Sequence, residues 1–347
     1  MKDVCNINMG QSPDSDSYND NEDGIPFFQG NADFGEKYPT TRKWCNAPTK
    51  IAHAEDILIS VRAPIGALNY AKEECCIGRG LAAITPNQDK VSSEFIYWLL
   101  KGKHKELNLQ GTGSTFKAIS RKVLEKIKVP DIELKKQTEL AGNLEKVYSV
   151  IQLRKQQLEE LDTLIKARFV EMFGDPVSNS FDLPEKTLPE LGEFGRGVSK
   201  HRPRNDARLL GGPYPLIQTG EVASAGLYID SYSNTYSELG LQQSKMWSKG
   251  TLCITIAANI AKTAILNFDA CFPDSVVGFK ANENNNNVFI HYWFTFFQAI
   301  LESQAPESAQ KNINLKILSE LKVIAPEKSR QEEFAAFVTQ VDKLKLK

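Results

Sequence analysis

Between Arg196 and Arg208 five cations, Arg196, Lys200, Arg202, Arg204 and Arg208, stand against a single acid, Asp206. Such a loop can neutralise phosphates, with an affinity that falls as salt rises; the same composition fits a solvated surface loop. Nothing comparable supports bond-making chemistry. An amino-group methyltransferase needs an Asn/Asp-Pro-Pro-aromatic loop for a flipped base and a glycine motif for S-adenosylmethionine, and the chain has no Pro-Pro pair. Phe194-Gly195-Arg196-Gly197 and Gly111-Thr112-Gly113 are glycine turns of the wrong spacing. Pro130-Asp131 with Glu133-Leu134-Lys135 imitates a nuclease PD…ExK, but one intervening residue cannot form the hairpin that would gather those groups around a metal. Cys5, Cys45, Cys75, Cys76, Cys253 and Cys271 form no CxxC pair, and the four histidines are scattered, so no zinc or other metal site is expected. Binding, not catalysis, is the expected activity.

A net charge of -1 gives no global basic field, so any contact with nucleic acid must rest on local patches. With 41% hydrophobic and 24% charged residues, 347 residues suffice for two domains with substantial cores. Reduced, mostly buried thiols in a cytosolic chain are the expected use of the cysteines. Met1 to Gly10 lacks a basic segment followed by an apolar run, and no stretch reaches the roughly 20 apolar residues that span a bilayer, so no membrane role is expected. Val288 to Leu301 comes nearest, but His291 and Gln298 interrupt it, and it reads as a buried, aromatic-rich helix.

The element that must position these groups is Leu134 to Phe173, a predicted helix closed by Gly174, Asp175 and Pro176. Leu140, Leu144, Val147, Ile151, Arg154, Leu158, Leu161, Ile165, Arg168 and Met172 follow a 3.5-residue seam, the signature of a coiled coil, and forty residues at 1.5 Å each would reach about 60 Å. Around it lie predicted β runs at Asp56 to Val61 and Cys75 to Ile84, a helix at Phe95 to Leu100, and a strand at Lys126 to Val129. The two sides of the helix repeat each other. Pro26-Phe27-Phe28-Gln29 recurs as Pro215-Leu216-Ile217-Gln218, Cys76 to Ile84 recurs as Cys271 to Phe279, and Ile119, Lys122, Leu124, Ile127, Val129, Gln137, Glu139 and Ala141 recur 194 residues later. The expected fold is α+β: two similar mixed α/β domains in tandem, separated by long coiled-coil helices. The expected bounds are 1–130, a spacer helix over 131–178, 179–326, and a truncated second helix over 327–347. Ser329 and Glu332 have capping-box spacing at its start.

This tandem, with GQSP at residue 10, IPFFQGNADF (25–34), IGRGLAAI (77–84), GSTFKAIS (113–120) and LEELDTLIKARFVEMFGDP (158–176), resembles the specificity subunit of type I restriction-modification systems over essentially its whole length. The resemblance implies a non-catalytic DNA-binding subunit whose two target recognition domains each read half of a bipartite double-stranded site. Its antiparallel helices would act as a ruler and dock adenine methyltransferase subunits, which in turn can recruit restriction subunits. S-adenosylmethionine would sit on the methyltransferase, with no cofactor on this chain, in the cytoplasm of a bacterium or archaeon. One departure is plain: the family's second helix matches the first in length, whereas this one stops after Lys347. An interaction scaffold with no DNA role, or a recognition module detached from a fused restriction-methylation enzyme, are the rival readings.

On that reading Gln11 and Ser12, in the loop corresponding to the basic one, are candidates in the first domain. Gln29, Asn31, Gln218 and Thr219, at the ends of repeated strands, could meet base edges; strand-end capping also fits. Arg62 and Arg79 sit in Gly/Pro turns, where an arginine can grip a guanine edge or a phosphate, or pair with Asp56 or Glu73. Thr112, Ser114 and Lys117 in the first repeat and Lys311 and Asn312 in the second lie in loops feeding the last strand, and Asn259 and Lys262 depart from Pro64 to Gly66 in the matching turn. Trp44, Trp98, Trp247 and Trp293 read as packing residues. Leu140, Leu144, Val147, Ile151, Leu158, Leu161, Ile165 and Met172 form the expected docking helix. An antiparallel second helix would cover about residues 154 to 173, leaving Leu140, Leu144, Val147 and Ile151 for another chain, a second copy or a methyltransferase subunit.

Overall fold

The computed structural model describes residues 1–113, 117–257, 259–304 and 313–345. They form two compact units, Met1–Arg154 and Lys155–Lys347.

The first unit is built on a four-stranded antiparallel sheet. Its strands are β1 (Cys5–Met9), β3 (Ile57–Ser60), β4 (Leu68–Tyr70) and β6 (Leu81–Pro86), in the order β1-β6-β3-β4, with β2 (Ile25–Phe28) and β5 (Cys75–Ile77) in a second sheet of five short strands. Ile7, Ile57, Ile59, Ala82 and Ile84 point into the core, where they meet Ile96 and Leu100 of helix α1 (Ser93–Gly102). This is the period-2 alternation of a sheet covered by a helix. The long helix α2 (Leu134–Phe173) spans the residues that the sequence assigns to it, and Gly174 ends it at φ +75°, a conformation costly for any residue with a Cβ. Within the first unit Gln137, Ala141 and Tyr148 are its packed face; the Tyr148 ring lies edge-on to Trp98 and under the Lys101 ammonium.

The second unit repeats the plan of the main sheet. Strands β7 (Gly192–Arg196), β9 (Leu252–Thr255), β10 (Thr263–Leu266) and β12 (Val276–Ala281) have the order β7-β12-β9-β10, and Tyr228–Ile229 adds a parallel edge. Ile7 faces Ile84 as Phe194 faces Phe279, and Ile57 faces Ile84 as Leu252 faces Phe279. In the second sheet of each unit Phe27 pairs parallel with Cys76, and Leu216, ending β8 (Leu210–Leu216), pairs parallel with Cys271 of β11 (Ala270–Cys271). The aromatic run is helix α3 (Asn287–Gln304), with Phe289, Trp293 and Phe294 in the core; no helix is long and apolar enough to cross a membrane among the described residues. All six cysteines are buried and unbridged.

The repeat extends to side-chain hydrogen bonds. Buried Gln137 accepts from the Ser92 N–H at 3.0 Å and donates to the Ile132 carbonyl at 2.8 Å; buried Gln331 accepts from the Asn286 N–H at 2.9 Å and donates to the Pro326 carbonyl at 2.8 Å. Both pin the start of a long helix to the start of a core helix.

Two expectations need correction. Residues 126–129 are not a strand. Their counterpart Lys322–Ile324 pairs with Glu185–Thr187, whereas in the first unit the Ile127 carbonyl meets the Met1 ammonium at 2.6 Å, and a ladder needs a neighbouring strand. Helix α4 begins at Lys328, so Ser329 lies inside its first turn and is not the cap. Helix α4 (Lys328–Lys345) lies antiparallel along α2. Arg330 donates to the Met172 carbonyl, Arg168 pairs with Glu333 at 3.1 Å and Lys345 pairs with Asp162 at 2.8 Å, so the contacts run in opposite directions along the two helices. Between them Phe169 and Phe173 pack on Phe289 and Phe334.

Candidate nucleic-acid interface

In the first unit, one edge is strung together by backbone hydrogen bonds. Leaving β1, the chain passes so close to the Gly78-Arg79-Gly80 turn that a Cβ on Gly10 would stand 2.2 Å from the Gly78 carbonyl oxygen. Gln11 N–H bonds the Ile77 carbonyl, Gly80 N–H bonds the Gln29 carbonyl, and Val61 N–H bonds the Gly80 carbonyl. Ile119 N–H then reaches Val61, Ala63 N–H reaches Lys117, and Ala118 is doubly bonded to Thr112. Gln11, Gln29, Arg79, Arg62, Lys117 and Thr112 therefore share one rim, although they come from five separate stretches of sequence. The Ser12 hydroxyl and the Gln29 amide are hydrogen-bonded at 2.9 to 3.0 Å on the surface. Asn31 opens the short 3-10 turn Asn31–Asp33 beside them and is half-buried. Ser114 lies outside the described residues.

Arg62, Arg79 and Lys117 are exposed, with no side-chain hydrogen bond or ion pair among the described residues. The alternative partner Asp56 is buried and accepts from the His53 N–H at 2.9 Å, so it is spent within its own turn. Free arginines over a surface of main-chain turns can offer the planar donor fork that suits phosphates and guanine edges.

In the second unit the same relay recurs with other side chains. A Cβ on Gly197 would stand 2.3 Å from the Phe272 carbonyl oxygen; Val198 N–H bonds Phe272, Ile217 N–H bonds Cys271, Ile256 N–H bonds Ser275, and Ile313 N–H bonds Ile256. Gln218 and Thr219 are not strand-end residues: Gln218 is the N-cap of the helix Thr219–Ser224, and its N–H bonds the Glu221 carboxylate at 3.1 Å. Asn259 is exposed, and its carbonyl accepts from the Thr255 hydroxyl. Lys262 lines a cavity of ≈ 330 Å³ with Asp162, Lys166, His291 and Lys345. Lys311 and Asn312 lie outside the described residues.

The basic loop is an ordered structure with its own anchors. Gln243 accepts the His201 N–H at 3.0 Å, and the Ser244 hydroxyl donates to the Val198 carbonyl at 2.8 Å. Asp206 binds Arg208 through both oxygens and His201 through one; the Arg208 guanidinium and N–H hold its carboxyl well below the usual range. Arg202 donates to the Ser199 and His201 carbonyls at 2.7 and 2.8 Å and lies 3.7 Å from Asp274, whose other oxygen pairs with Arg204. The five-cation patch is thus half neutralised from within, and Arg196 and Lys200 are its exposed members with no side-chain partner among the described residues. Asp274 escaped the sequence reading, although the repeat carries the signal: it stands where the first unit has Arg79.

The expected docking helix divides in two. Leu140, Leu144, Val147 and Ile151 are 38, 47, 58 and 47% exposed, whereas Ile165 and Met172 are buried in the second unit's core, with Leu161 packed against it and Leu158 half-buried. Ile165 and Met172 therefore drop out as docking residues, because α4 and α3 already cover them.

The model of the type I restriction modification DNA specificity domain matches the chain twice, over residues 1–163 and 184–347. A Methanocaldococcus jannaschii chain assigned as the specificity subunit of the type I restriction enzyme MjaX is 43% identical over 156 residues, 45% of this chain and 37% of that relative, so the match spans well under half of its length. The type I restriction enzyme EcoBI specificity subunit of Escherichia coli is 20% identical over 98% of this chain and 78% of its own. Among solved structures, the type I restriction-modification S subunit from M. genitalium has the same fold, with TM-score 0.55 at 15% identity over 99% of this chain and 88% of that one.

Proposed function

The chain belongs to the type I restriction modification DNA specificity domain family, and on that premise we propose that it is a non-catalytic subunit that reads a bipartite double-stranded DNA site and directs partner adenine methyltransferases to it. Each unit reads one half-site through its rim. In the first, Arg62, Arg79 and Lys117 contact guanine edges and phosphates while Gln11, Ser12 and Gln29 meet base edges; in the second the loop from Arg196 to Arg204 takes the cationic role. The observation that carries this reading is the repeated relay of backbone bonds that bears different polar side chains in the two units, as two readers of unlike half-sites require.

The methyltransferase supplies S-adenosylmethionine and the reacting atoms; this chain supplies position. The apolar stripe Leu140, Leu144, Val147 and Ile151 is the surface on which a methyltransferase subunit docks, with a second copy of this chain as the competing occupant, and a restriction subunit joins through the methyltransferase. Selection from a random duplex pool by the chain with its methyltransferase tests the function. One enriched gapped motif, with affinity that falls as salt rises, is the expected result. Absence of any bipartite motif overturns the reading in favour of a scaffold without a DNA role.

A further inference from the structure

The two equivalent turns carry opposite charges yet present the same net charge. In the first unit the turn bears Arg79 alone; in the second it bears Asp274, flanked by Arg202 and Arg204, so the cluster nets one positive charge at the corresponding place. Arg202 is committed to the loop's own carbonyls. Arg204 spends one nitrogen on Asp274 and is 48% exposed at the side chain, so its other donors are unspent among the described residues. An ion pair this exposed adds little to stability, so the fold gives no reason for it. What it does supply is a tether that limits where the Arg204 guanidinium can point, and preorganisation of that fork is what bidentate recognition rewards.

We propose that Asp274 is a positioning residue: it holds Arg204 in the orientation that reads one guanine edge in the second half-site, the role that Arg79 performs unaided in the first. The inference rests on the reading of the rim as the DNA interface. Removing an acid from a DNA-binding surface should, by charge alone, tighten binding to every duplex. The positioning role predicts the reverse at one base pair.

The experiment uses the full chain with its methyltransferase and duplexes in which single base pairs of each half-site are changed. Asp274→Asn should reduce discrimination at one position of the second half-site about 10-fold, the size of one bidentate contact, while binding to non-specific duplex holds or rises. Asp274→Glu should restore part of the discrimination. In an Arg204→Ala background, Asp274→Asn should cost nothing further, which a mere folding role would not produce. Equal tightening on all duplexes, or a loss undiminished in the Arg204→Ala background, would overturn the proposal. If Arg79→Ala also leaves the first half-site untouched and the parent protein shows no site preference, the underlying reading fails with it; an effect of Arg79 without one of Asp274 sinks the positioning role alone.

Discussion

The turns Gly78-Arg79-Gly80 and Pro273-Asp274-Ser275 are held by matching main-chain bonds and packed behind matching glycines, Gly10 and Gly197, yet one offers a bare guanidinium and the other an aspartate that gathers two arginines from a loop seventy residues away. The difference teaches where the chain is constrained. Buried backbone groups must find partners and a sheet register cannot slip by one residue without turning its apolar face outward, so the scaffold is common to both units. The tips of the turns owe nothing to the core and are free to differ. Helix α2 shows the same division along its length: one periodic seam, buried where α4 and α3 lie against it and exposed where they do not.

The largest effect should come from that helix. Phe169 touches Phe173, Phe289, Phe296 and Phe334, so Phe169→Ala should cost about 3–5 kcal/mol in denaturant unfolding, whereas Leu144→Ala, half exposed in the isolated chain, should cost under about 0.5 kcal/mol. Equal losses would break the comparison of the two halves. Acid should separate the units next. His291, buried beside the Thr263 hydroxyl, occupies the repeat position of Tyr97; burial and the nearby Lys345 ammonium push its pKa down to about 4. An imidazole depressed in the folded state takes up its proton first on unfolding. Its contribution to stability is therefore present above pH 6.5 and is lost as pH falls towards 4, on the order of 3 kcal/mol in total. The second unit should lose stability over that range, and His291→Gln should flatten the profile; an unchanged slope would contradict it.

Much of the fold was legible before the structure. The bounds of α2 follow from a 3.5-residue period ending at Gly174 and Pro176, and the repeat put Gln137 and Gln331 at corresponding positions, though their role as helix anchors shows only in the folded chain. What was not legible depends on neighbours distant in sequence. Residues 126–129 have strand composition but no strand beside them, Ser329 has cap composition but lies two residues too late, and Ile165 and Met172 look like docking residues until α3 and α4 cover them. The rim shows the same limit: residue type picked out Arg62, Arg79 and Lys117 one at a time, but only folding placed them on one edge, and the pairing of Asp274 with Arg202 and Arg204 cannot be read from spacing.

The helix anchors give the next test, in which the units should agree. Gln137→Ala strands a backbone N–H and two carbonyls, and Gln331→Ala a backbone N–H, one carbonyl and the Asn285 side-chain oxygen, a cost of about 1–3 kcal/mol for each variant. Near-equal values would sharpen the repeat as an energetic fact; a neutral Gln137→Ala beside a costly Gln331→Ala would limit it to geometry.

The smallest effect should distinguish cations within one rim. Lys117 is exposed and carries a point charge on a flexible stem, suited to a phosphate and not to the fork geometry of a base edge. Lys117→Ala should therefore weaken every duplex alike by under about 1 kcal/mol and lower the slope of log affinity against log salt by about 0.9, the yield of one phosphate contact. Arg79→Ala should instead relax one base position of the first half-site. If Lys117→Ala changes the preferred bases, or Arg79→Ala changes only the salt slope, the division between positioning and reading groups on the first rim is wrong, and with it the basis for likening Arg79 to the Asp274 cluster.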